Sequence, residues 1–195
     1  TAISDLEVVQ KETKGKLYYI KYKVVDSDQN IIIATTRPET MFGDTAIAVN
    51  PKDERYQDLI AKEVIIPISN RRIKIISDEY ADPDQGSGAV KITPGHDFND
   101  YLVGKRNNLN LINILNKDGT LNENVPKNYI HIDRIDARKK LIVELEQKNF
   151  LDKIEDINHT VPHGDRTNSV IEPLLTEQWF VNAKKLSNEA IKQVK

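Results

Sequence analysis

Residues 17–34 read LYYIKYKVVDSDQNIIIA, and this stretch decides the class of fold. Apolar and charged side chains alternate through residues 17–25, with Tyr18, Ile20, Tyr22 and Val24 opposite Lys21 and Lys23. This alternation predicts a strand with one buried face. Residues 26–30 are polar and predict a turn, and the apolar run at 31–34 predicts a second strand that is buried on both faces.

The rest of the chain alternates short apolar runs with turn-forming residues. Residues 64–68 and 73–76 form a predicted hairpin around Ser69–Asn70, and residues 133–150 form the clearest helix, with one apolar stripe. Many short strands with few helices favour a mixed α/β fold, in which a β-barrel-like sheet is decorated with short helices, over a doubly wound sheet. The other predicted strands span 45–49, 89–93 and 111–115, and the other predicted helices span 36–43, 55–61 and 97–106.

The end of the chain differs in character from the rest. Residues 161–168 read VPHGDRTN and predict irregular structure, whereas residues 182–195 are polar, lysine-rich and weakly helical. We therefore expect residues 1–151 to form the core of the domain and residues 152–195 to form a C-terminal arm.

Composition excludes several classes of function. The chain has 195 residues, of which 38% are hydrophobic and 30% charged, and it has no cysteine, which excludes disulfides, thiolate metal sites and a cysteine nucleophile. The apolar runs are too short for a membrane span, and the first residues lack a secretory signal, so we expect a cytoplasmic protein. A net charge of −2 argues against strong non-specific binding of nucleic acid.

Two segments carry most of the groups that could do chemistry: TTRPETMFGDT at residues 35–45 and GSGAVKITPGHDFND at residues 86–100. Lys91 and Thr93 share a face of one predicted strand, and Asp97 and Asp100 share a side of the following predicted helix. Because only residues 94–96 join these two elements, we expect the four side chains to converge on one pocket. Such a pocket suits a small zwitterionic or hydroxylated ligand.

Each of these residues also has a purely structural interpretation. Asp97 could serve only as a helix N-cap, and Asp100 could be a solvated carboxylate on the helix surface. Lys91 could protect a strand edge. Residues 36–39 (TRPE) have the form of a capping box with proline just inside the helix, and residues 86–88 (GSG) could be an ordinary loop.

Histidines raise the question of a metal site. The pair His96–Asp97 occurs in some metal phosphohydrolases, but those sites need further histidines on neighbouring helices. His159 and His163 are four residues apart, but Pro162 prevents the regular helix that would place both on one metal. The sequence therefore predicts no metal and no other cofactor.

Taken together, the two polar segments closely resemble the editing domain of valyl-tRNA synthetase. The resemblance covers essentially the whole chain, including AISDLEV at residues 2–8, DTAIAVNP at 44–51, GDR at 164–166 and IEPLLTEQWFV at 171–181. The chain departs from the usual family pattern at Gly95, where alanine is common, and at Ser87, where threonine is common. The signature motifs of the aminoacylation domain, HIGH and KMSKS, are absent, so we expect an editing domain whose ends lead back to that domain.

The resemblance implies roles for the site residues. Asp100 is expected to pair with the substrate ammonium, and Lys91, Thr93 and Asp97 to surround the threonine hydroxyl. The group that activates water is left open between Asp97, His96 and the substrate's own ribose hydroxyl. Four residues are assigned to catalysis, namely Asp100, Asp97, Thr35 and Thr36, and substrate binding is assigned to Lys91, Thr93, Arg37, Gly86, Ser87, Gly88 and His96.

The reaction that the resemblance implies is post-transfer editing, the hydrolysis of threonyl-tRNA(Val). A hydrophobic synthesis pocket rejects threonine by only about 10² against valine, the value known for this pair of amino acids in this enzyme family, so a second site must remove the error. The implied partners are the 3′ end of the mischarged tRNA and the rest of the synthetase chain, with a monomeric domain. Two alternatives are a module that binds the tRNA end without catalysis and an unrelated metal phosphohydrolase.

Overall fold

The computed structural model describes residues 7–175, 179 and 181–194. Residues 1–6 of the predicted core, and 176–178, 180 and 195 of the predicted arm, lie outside the described part. The strands are β1 (Val8–Val24), β2 (Asn30–Thr35), β3 (Ala46–Val49), β4 (Glu63–Ile65), β5 (Arg72–Ser77), β6 (Ala89–Ile92) and β7 (Leu151–Gly164). The helices are α1 (Phe98–Arg106), α2 (Arg134–Gln147) and α3 (Ala183–Val194), with 3₁₀ turns at Pro38–Gly43, Gln57–Leu59 and Lys127–Tyr129.

In the described residues, the seven strands form one sheet that curls on itself. The strand order is β2-β1-β4-β5-β3-β6, with β7 paired to β1 outside this path, and only β3 and β5 run parallel. The two strands at the ends of the path, β2 and β6, contact each other without pairing, so the sheet curls into a half-barrel. The expected fold class, a mixed α/β fold with a β-barrel-like sheet and short helices, is confirmed.

The predicted alternation in β1 is confirmed, because Ile20, Tyr22 and Val24 are fully buried while Lys23 is exposed. In β2, Ile31 and Ile33 are buried but Ile32 and Ala34 are only half-buried, so the prediction that both faces are buried is wrong. The second face of β2 is partly open because a cavity lies beside Ala34.

Two local predictions fail because side chains and distant backbone take up the hydrogen bonds. Residues 36–39 form no capping box: the turn at Pro38–Gly43 has no side-chain cap, and Glu39 pairs with Arg138 instead. Residues 111–115 form no strand beyond a single bridge at Leu115, because the backbone N–H of Ile114 donates to His96. The backbone oxygen of Ile112 also faces Gly95, and a Cβ added to this glycine would lie only 2.4 Å from it.

The predicted arm begins with regular structure. β7 pairs with β1 from Val8↔Gly164 to Ile20↔Leu151, so the expectation of irregular chain from residue 161 is wrong as far as Gly164. The predicted weak helix at the end is present as α3. The division of the chain at residue 152 stays a prediction. Among the described residues, no helix has the length and apolar character needed to cross a membrane.

Candidate active site

A cavity of about 260 Å³ lies between the end of β2, the end of β6 and the start of α1. It brings together eight of the eleven residues that the sequence singles out. The end of β2 and the turn after it supply three of them, and the β6–α1 segment supplies the other five. The lining residues are Leu17, Ala34, Thr35, Thr36, Arg37, Thr40, Val90, Lys91, Thr93, His96, Asp97 and Asp100.

The remaining three predicted residues, Gly86, Ser87 and Gly88, form a loop at the edge of the cavity and do not line it. Gly86 and Gly88 have φ angles of 58° and 80°, a left-handed conformation that glycine adopts without strain. A Cβ on Gly86 would lie 2.8 Å from the Cβ of Ala34, so glycine lets the loop approach the cavity wall closely. The hydroxyl of Tyr56 donates to the Ser87 carbonyl at 2.6 Å and holds the loop there.

Asp97 ends the breaker segment and caps α1. Its Oδ1 accepts hydrogen bonds from the backbone N–H groups of Asn99 at 2.8 Å and Asp100 at 3.0 Å. The capping interpretation is therefore correct. The side chain is half-buried and still lines the cavity, so capping and contact with a ligand are compatible.

Asp100 is buried, with 6% of its surface exposed, and the alternative of a solvated helix carboxylate is wrong. Its Oδ2 accepts the backbone N–H of Thr93 at 2.9 Å, which ties the start of α1 to the end of β6. Burial raises the pKa of Asp100 to about 6, against the lowering effects of the Lys91 charge and of the Thr93 hydrogen bond. Asp100 is therefore a buried carboxylate that lines the cavity, where a cationic group of a ligand could contact it.

Lys91 and Thr93 meet a residue that sequence reasoning did not single out. Asp44 is fully buried, and its Oδ1 accepts from the Lys91 ammonium at 3.1 Å and from the Thr93 hydroxyl at 2.6 Å. Its Oδ2 accepts from the Tyr22 hydroxyl at 2.8 Å. Because Lys91 is 8% exposed and paired to a buried anion, its alternative role as a guard of a strand edge is wrong. The available signal was an acid two residues before the apolar run of β3.

His96 is buried, and its Nε2 accepts the backbone N–H of Ile114 at 2.9 Å. Burial lowers the pKa of His96 to about 3, and the nearby charges of Arg37 and Lys91 act in the same direction. The ring is therefore neutral at physiological pH. Because Nε2 is an acceptor, the proton sits on Nδ1, which has no hydrogen-bond partner among the described residues.

Arg37 reaches the cavity edge but is held from two sides. Its Nη1 donates to the His96 carbonyl at 2.9 Å, and its Nη2 forms an ion pair with Glu172, which follows β7. Glu172 also accepts from Arg134 on α2 at 2.8 Å. Glu172 and Arg134 are thus neighbours of the site that lie far away in sequence. The contact places Glu172, eight residues beyond the end of β7, against a side chain that lines the cavity.

The ion pair between Glu39 and Arg138 fixes α2 against the turn after β2. Glu39 is 1% exposed and accepts two hydrogen bonds from Arg138, at 2.6 Å and 2.7 Å. Thr35 is also buried, and its hydroxyl accepts the backbone N–H of Arg37 at 3.1 Å. These contacts hold the strand end and the turn rigidly, so the polar groups that line the cavity are preorganised.

A metal site is not built by these residues. Within residues 7–175 and the described positions beyond them, no three side chains of histidine, cysteine, aspartate or glutamate lie close enough together to hold a metal ion. His159 and His163 lie in β7, and His163 Nδ1 is 2.9 Å from the Val161 carbonyl. The ligand set that a metal phosphohydrolase needs is therefore missing from the described residues.

The sequence is similar to curated valine--tRNA ligases along its whole length. It is 63% identical over 190 residues to the enzyme of Pelagibacter ubique, 54% over 194 residues to that of Francisella tularensis and 52% over 194 residues to that of Thermotoga maritima. These matches cover 97–100% of the chain. The chain is homologous to the valine--tRNA ligases. The resemblance to the valyl editing domain that the sequence motifs indicate is thereby confirmed.

The chain spans about a fifth of the length of these ligases, 21–22% in each case. Among solved structures, it is similar to a leucyl-tRNA synthetase (LeuRS) of Agrobacterium radiobacter K84, crystallised as a ternary complex with tRNA and LeuAMS. The TM-score is 0.57 at 21% identity, covering 76% of the chain and 20% of that protein, so this likeness concerns the fold. No protein-family profile matches the chain.

Proposed function

We propose that this domain is a post-transfer editing hydrolase that deacylates threonyl-tRNA(Val). The observation that carries the proposal is the cavity itself: a buried carboxylate, Asp100, lies beside the buried polar pair of Lys91 and Thr93 in a chain homologous to valine--tRNA ligases. An aminoacyl ester presents an ammonium and a side chain close together. The cavity offers one partner for each.

The ammonium is the group that Asp100 is suited to bind. At pH 7 the carboxyl is mostly ionised, since its pKa is about 6, and it accepts the backbone N–H of Thr93, with the Tyr80 hydroxyl also beside it. A bound ammonium would stabilise the buried carboxylate and form a charge-assisted hydrogen bond. Asp100 is therefore our candidate for the residue that selects an aminoacyl group over a neutral ester.

The side chain of the substrate would meet Lys91 and Thr93. Threonine and valine have nearly the same size, so polarity must separate them. A hydroxyl can pair with the ammonium of Lys91 and the hydroxyl of Thr93, whereas a methyl can form no hydrogen bond with either. A site built to hydrogen-bond a hydroxyl can reject its absence by about 10⁴–10⁵. Valyl-tRNA would thus be spared.

The protonation state of His96 reduces the number of groups that could activate the hydrolytic water. A general base needs a free lone pair, but Nε2 is occupied by the Ile114 N–H and Nδ1 carries the proton. Asp97 and the ribose hydroxyl of the substrate remain as candidates. His96 Nδ1–H is a donor, and we assign it to binding rather than to proton abstraction. An aminoacyl ester is labile, so a positioned water suffices without a covalent nucleophile.

The terminal adenosine is expected near the two segments that border the cavity. Thr35, Thr36 and Arg37 line one side of the cavity, and the loop of Gly86–Gly88 approaches another edge with its backbone. The rest of the ligase is the expected partner of this domain, which we expect to be monomeric and cytoplasmic. We propose residues 1–151 as the editing core and the chain from 152 as the arm that returns to the aminoacylation domain.

The test is deacylation of threonyl-tRNA(Val) and valyl-tRNA(Val), each with and without a chelator. We expect rapid release of threonine, slow release of valine and no effect of chelator. Binding of the tRNA without release of threonine would instead indicate a binding module. Activity that chelator abolishes would indicate a metal hydrolase and contradict the proposal. Asp100→Asn is the matched inactive control, because it keeps the shape and the acceptor for Thr93.

A further inference from the structure

We propose that Asp44, a residue outside the cavity, is a positioning residue that sets the site's preference for a hydroxylated side chain by fixing the hydrogen-bonding groups that Lys91 and Thr93 present. The inference rests on the proposed function, because it concerns the same cavity. Asp44 is fully buried and does not line the cavity. Any influence it has on a ligand must pass through the residues that it holds.

Both oxygens of Asp44 are engaged, and they face different groups. Oδ1 accepts from the Thr93 hydroxyl at 2.6 Å and from the Lys91 ammonium at 3.1 Å, on the side of the cavity. Oδ2 accepts from the Tyr22 hydroxyl at 2.8 Å, on the side of the core. Arg71 donates to the backbone carbonyl of Asp44 at 2.7 Å and so fixes the main chain at this point.

Thr93 and Lys91 each keep a hydrogen-bonding group that a ligand could use. The Thr93 hydroxyl has one hydrogen, which goes to Asp44, and two lone pairs, one of which accepts from Lys91. The Lys91 ammonium has three N–H groups, of which one goes to Asp44 and one to Thr93. Within the part of the chain that the structure describes, these bonds leave one N–H of Lys91 and one lone pair of Thr93 unused.

The unused N–H of Lys91 and the unused lone pair of Thr93 match a hydroxyl group, which both accepts and donates a hydrogen bond. A hydroxyl accepts from the free N–H of Lys91 and donates to the free lone pair of Thr93, so both groups are satisfied at once. A methyl satisfies neither. Without the carboxylate of Asp44, the Thr93 hydroxyl would be free to turn its hydrogen into the cavity, and Lys91 would lose its anchor. The cavity would then no longer present one fixed donor and one fixed acceptor.

Asp44→Asn tests this role because it changes the charge and one acceptor but hardly the shape. We expect the ratio of threonyl-tRNA to valyl-tRNA deacylation rates to fall by about tenfold or more, the effect of misplacing one buried hydrogen bond. Tyr22→Phe is the matched control, since it removes the hydrogen bond to the other oxygen of the same carboxylate. It is expected to lower stability and leave the ratio within about twofold of wild type.

The outcomes separate the two proposals. Wild-type protein that fails to deacylate threonyl-tRNA would overturn the proposed function itself. Wild-type protein that is selective, together with a folded Asp44→Asn variant of unchanged ratio, would overturn only the role of Asp44. If Asp44→Asn does not fold, Asp44→Glu keeps the negative charge but moves the carboxylate by one methylene. A folded Glu variant is expected to lose selectivity, and an unchanged ratio in it would equally refute the inference.

Discussion

The backbone N–H of Thr93 donates to Oδ2 of Asp100 at 2.9 Å, so the strand end that carries one proposed substrate contact is held by the carboxylate that we propose for the other. The hydrogen bond spans seven residues, across the breaker Pro94–Gly95 and the cap of α1. It sets the distance between the expected ammonium partner and the expected hydroxyl partners. A ligand that fits one of them is thereby placed to reach the other.

Removal of the charge at Asp100 should abolish editing while the fold survives. Asp100→Asn keeps an acceptor for the Thr93 N–H but leaves a bound ammonium without a counter-ion, which costs about 3–5 kcal/mol when the pair is desolvated. The kcat/KM for threonyl-tRNA is expected to fall by about 10² to nearly 10⁴. Steady-state deacylation measures this, and circular dichroism checks the fold. A folded variant with near-normal activity would remove Asp100 from the site.

Deacylation should weaken in acid because the ionised form of Asp100 binds the substrate. Since its pKa is about 6, kcat/KM is expected to fall tenfold per pH unit below pH 6 and to be level above it. The measurement is a pH profile of kcat/KM between pH 5 and 8, corrected for the spontaneous hydrolysis of the ester. Asp100→Asn should lack the inflection, so a wild-type profile that stays flat through pH 6 would contradict the assignment.

The same pKa predicts how stability changes with pH. Burial raises the pKa of Asp100 from 3.8 to about 6, so between these values the folded state binds more protons than the unfolded state. The contribution of this group to the free energy of unfolding is therefore complete below about pH 4 and is lost as pH rises through 6. The free energy of unfolding, measured with urea for wild type and Asp100→Asn, checks this. Between pH 4 and a pH above 6, the value of the wild type minus that of the variant is expected to fall by up to about 3 kcal/mol.

The buried pair of Glu39 and Arg138 should matter for stability more than any surface ion pair. Arg138→Met leaves a carboxylate that is 1% exposed without its bidentate partner, and we expect a loss of about 3–5 kcal/mol. Adding Glu39→Leu should restore much of this loss because no buried charge then remains. Urea unfolding of the single and double variants measures both. Lys139→Gln, which breaks an exposed pair with Asp136 on the same helix, is the control.

Glu172 should affect activity more than stability. Its ion pairs with Arg37 and Arg134 are partly exposed, so Glu172→Gln is expected to cost at most about 1 kcal/mol. The loss of its hold on Arg37 should still slow deacylation by several-fold, because that side chain borders the cavity. Arg134→Gln removes only the ion pair between Arg134 and Glu172 and leaves the one with Arg37, so it should slow deacylation less than Glu172→Gln does. Equal rates in wild type and Glu172→Gln would show that the pair serves only to hold the chain after β7.

The domain by itself should bind tRNA weakly. Its net charge is −2, and many of its arginines near the cavity are already paired with carboxylates, so few cations remain for phosphates. We expect a Kd above the micromolar level at physiological salt, measured by filter binding with uncharged tRNA(Val). A submicromolar Kd would contradict this and would place a phosphate-binding surface on the domain itself.

The features that the sequence alone determined are those set by neighbours along the chain. The alternation in residues 17–25 requires one buried face, and Asp97 directly before a helical run can accept the free N–H groups of α1. The positions of Lys91, Thr93 and Asp100 around a short breaker place them on one cavity. The family motifs lie in the same segments, so the resemblance and the local chemistry point to the same residues.

Other features were decided only by the tertiary structure, because they depend on groups that are distant in sequence. Asp44 reaches Lys91 and Thr93 across the pairing of β3 with β6, and Glu172 reaches Arg37 only because β7 returns along β1. Burial keeps His96 neutral, and the N–H of Ile114 occupies its Nε2, which leaves the proton on Nδ1 and keeps residues 111–115 from forming a strand. The periodicity of the sequence indicates which side chains face inward. The hydrogen-bond or ion-pair partner of each buried polar group depends instead on how the sheet curls and brings distant residues together.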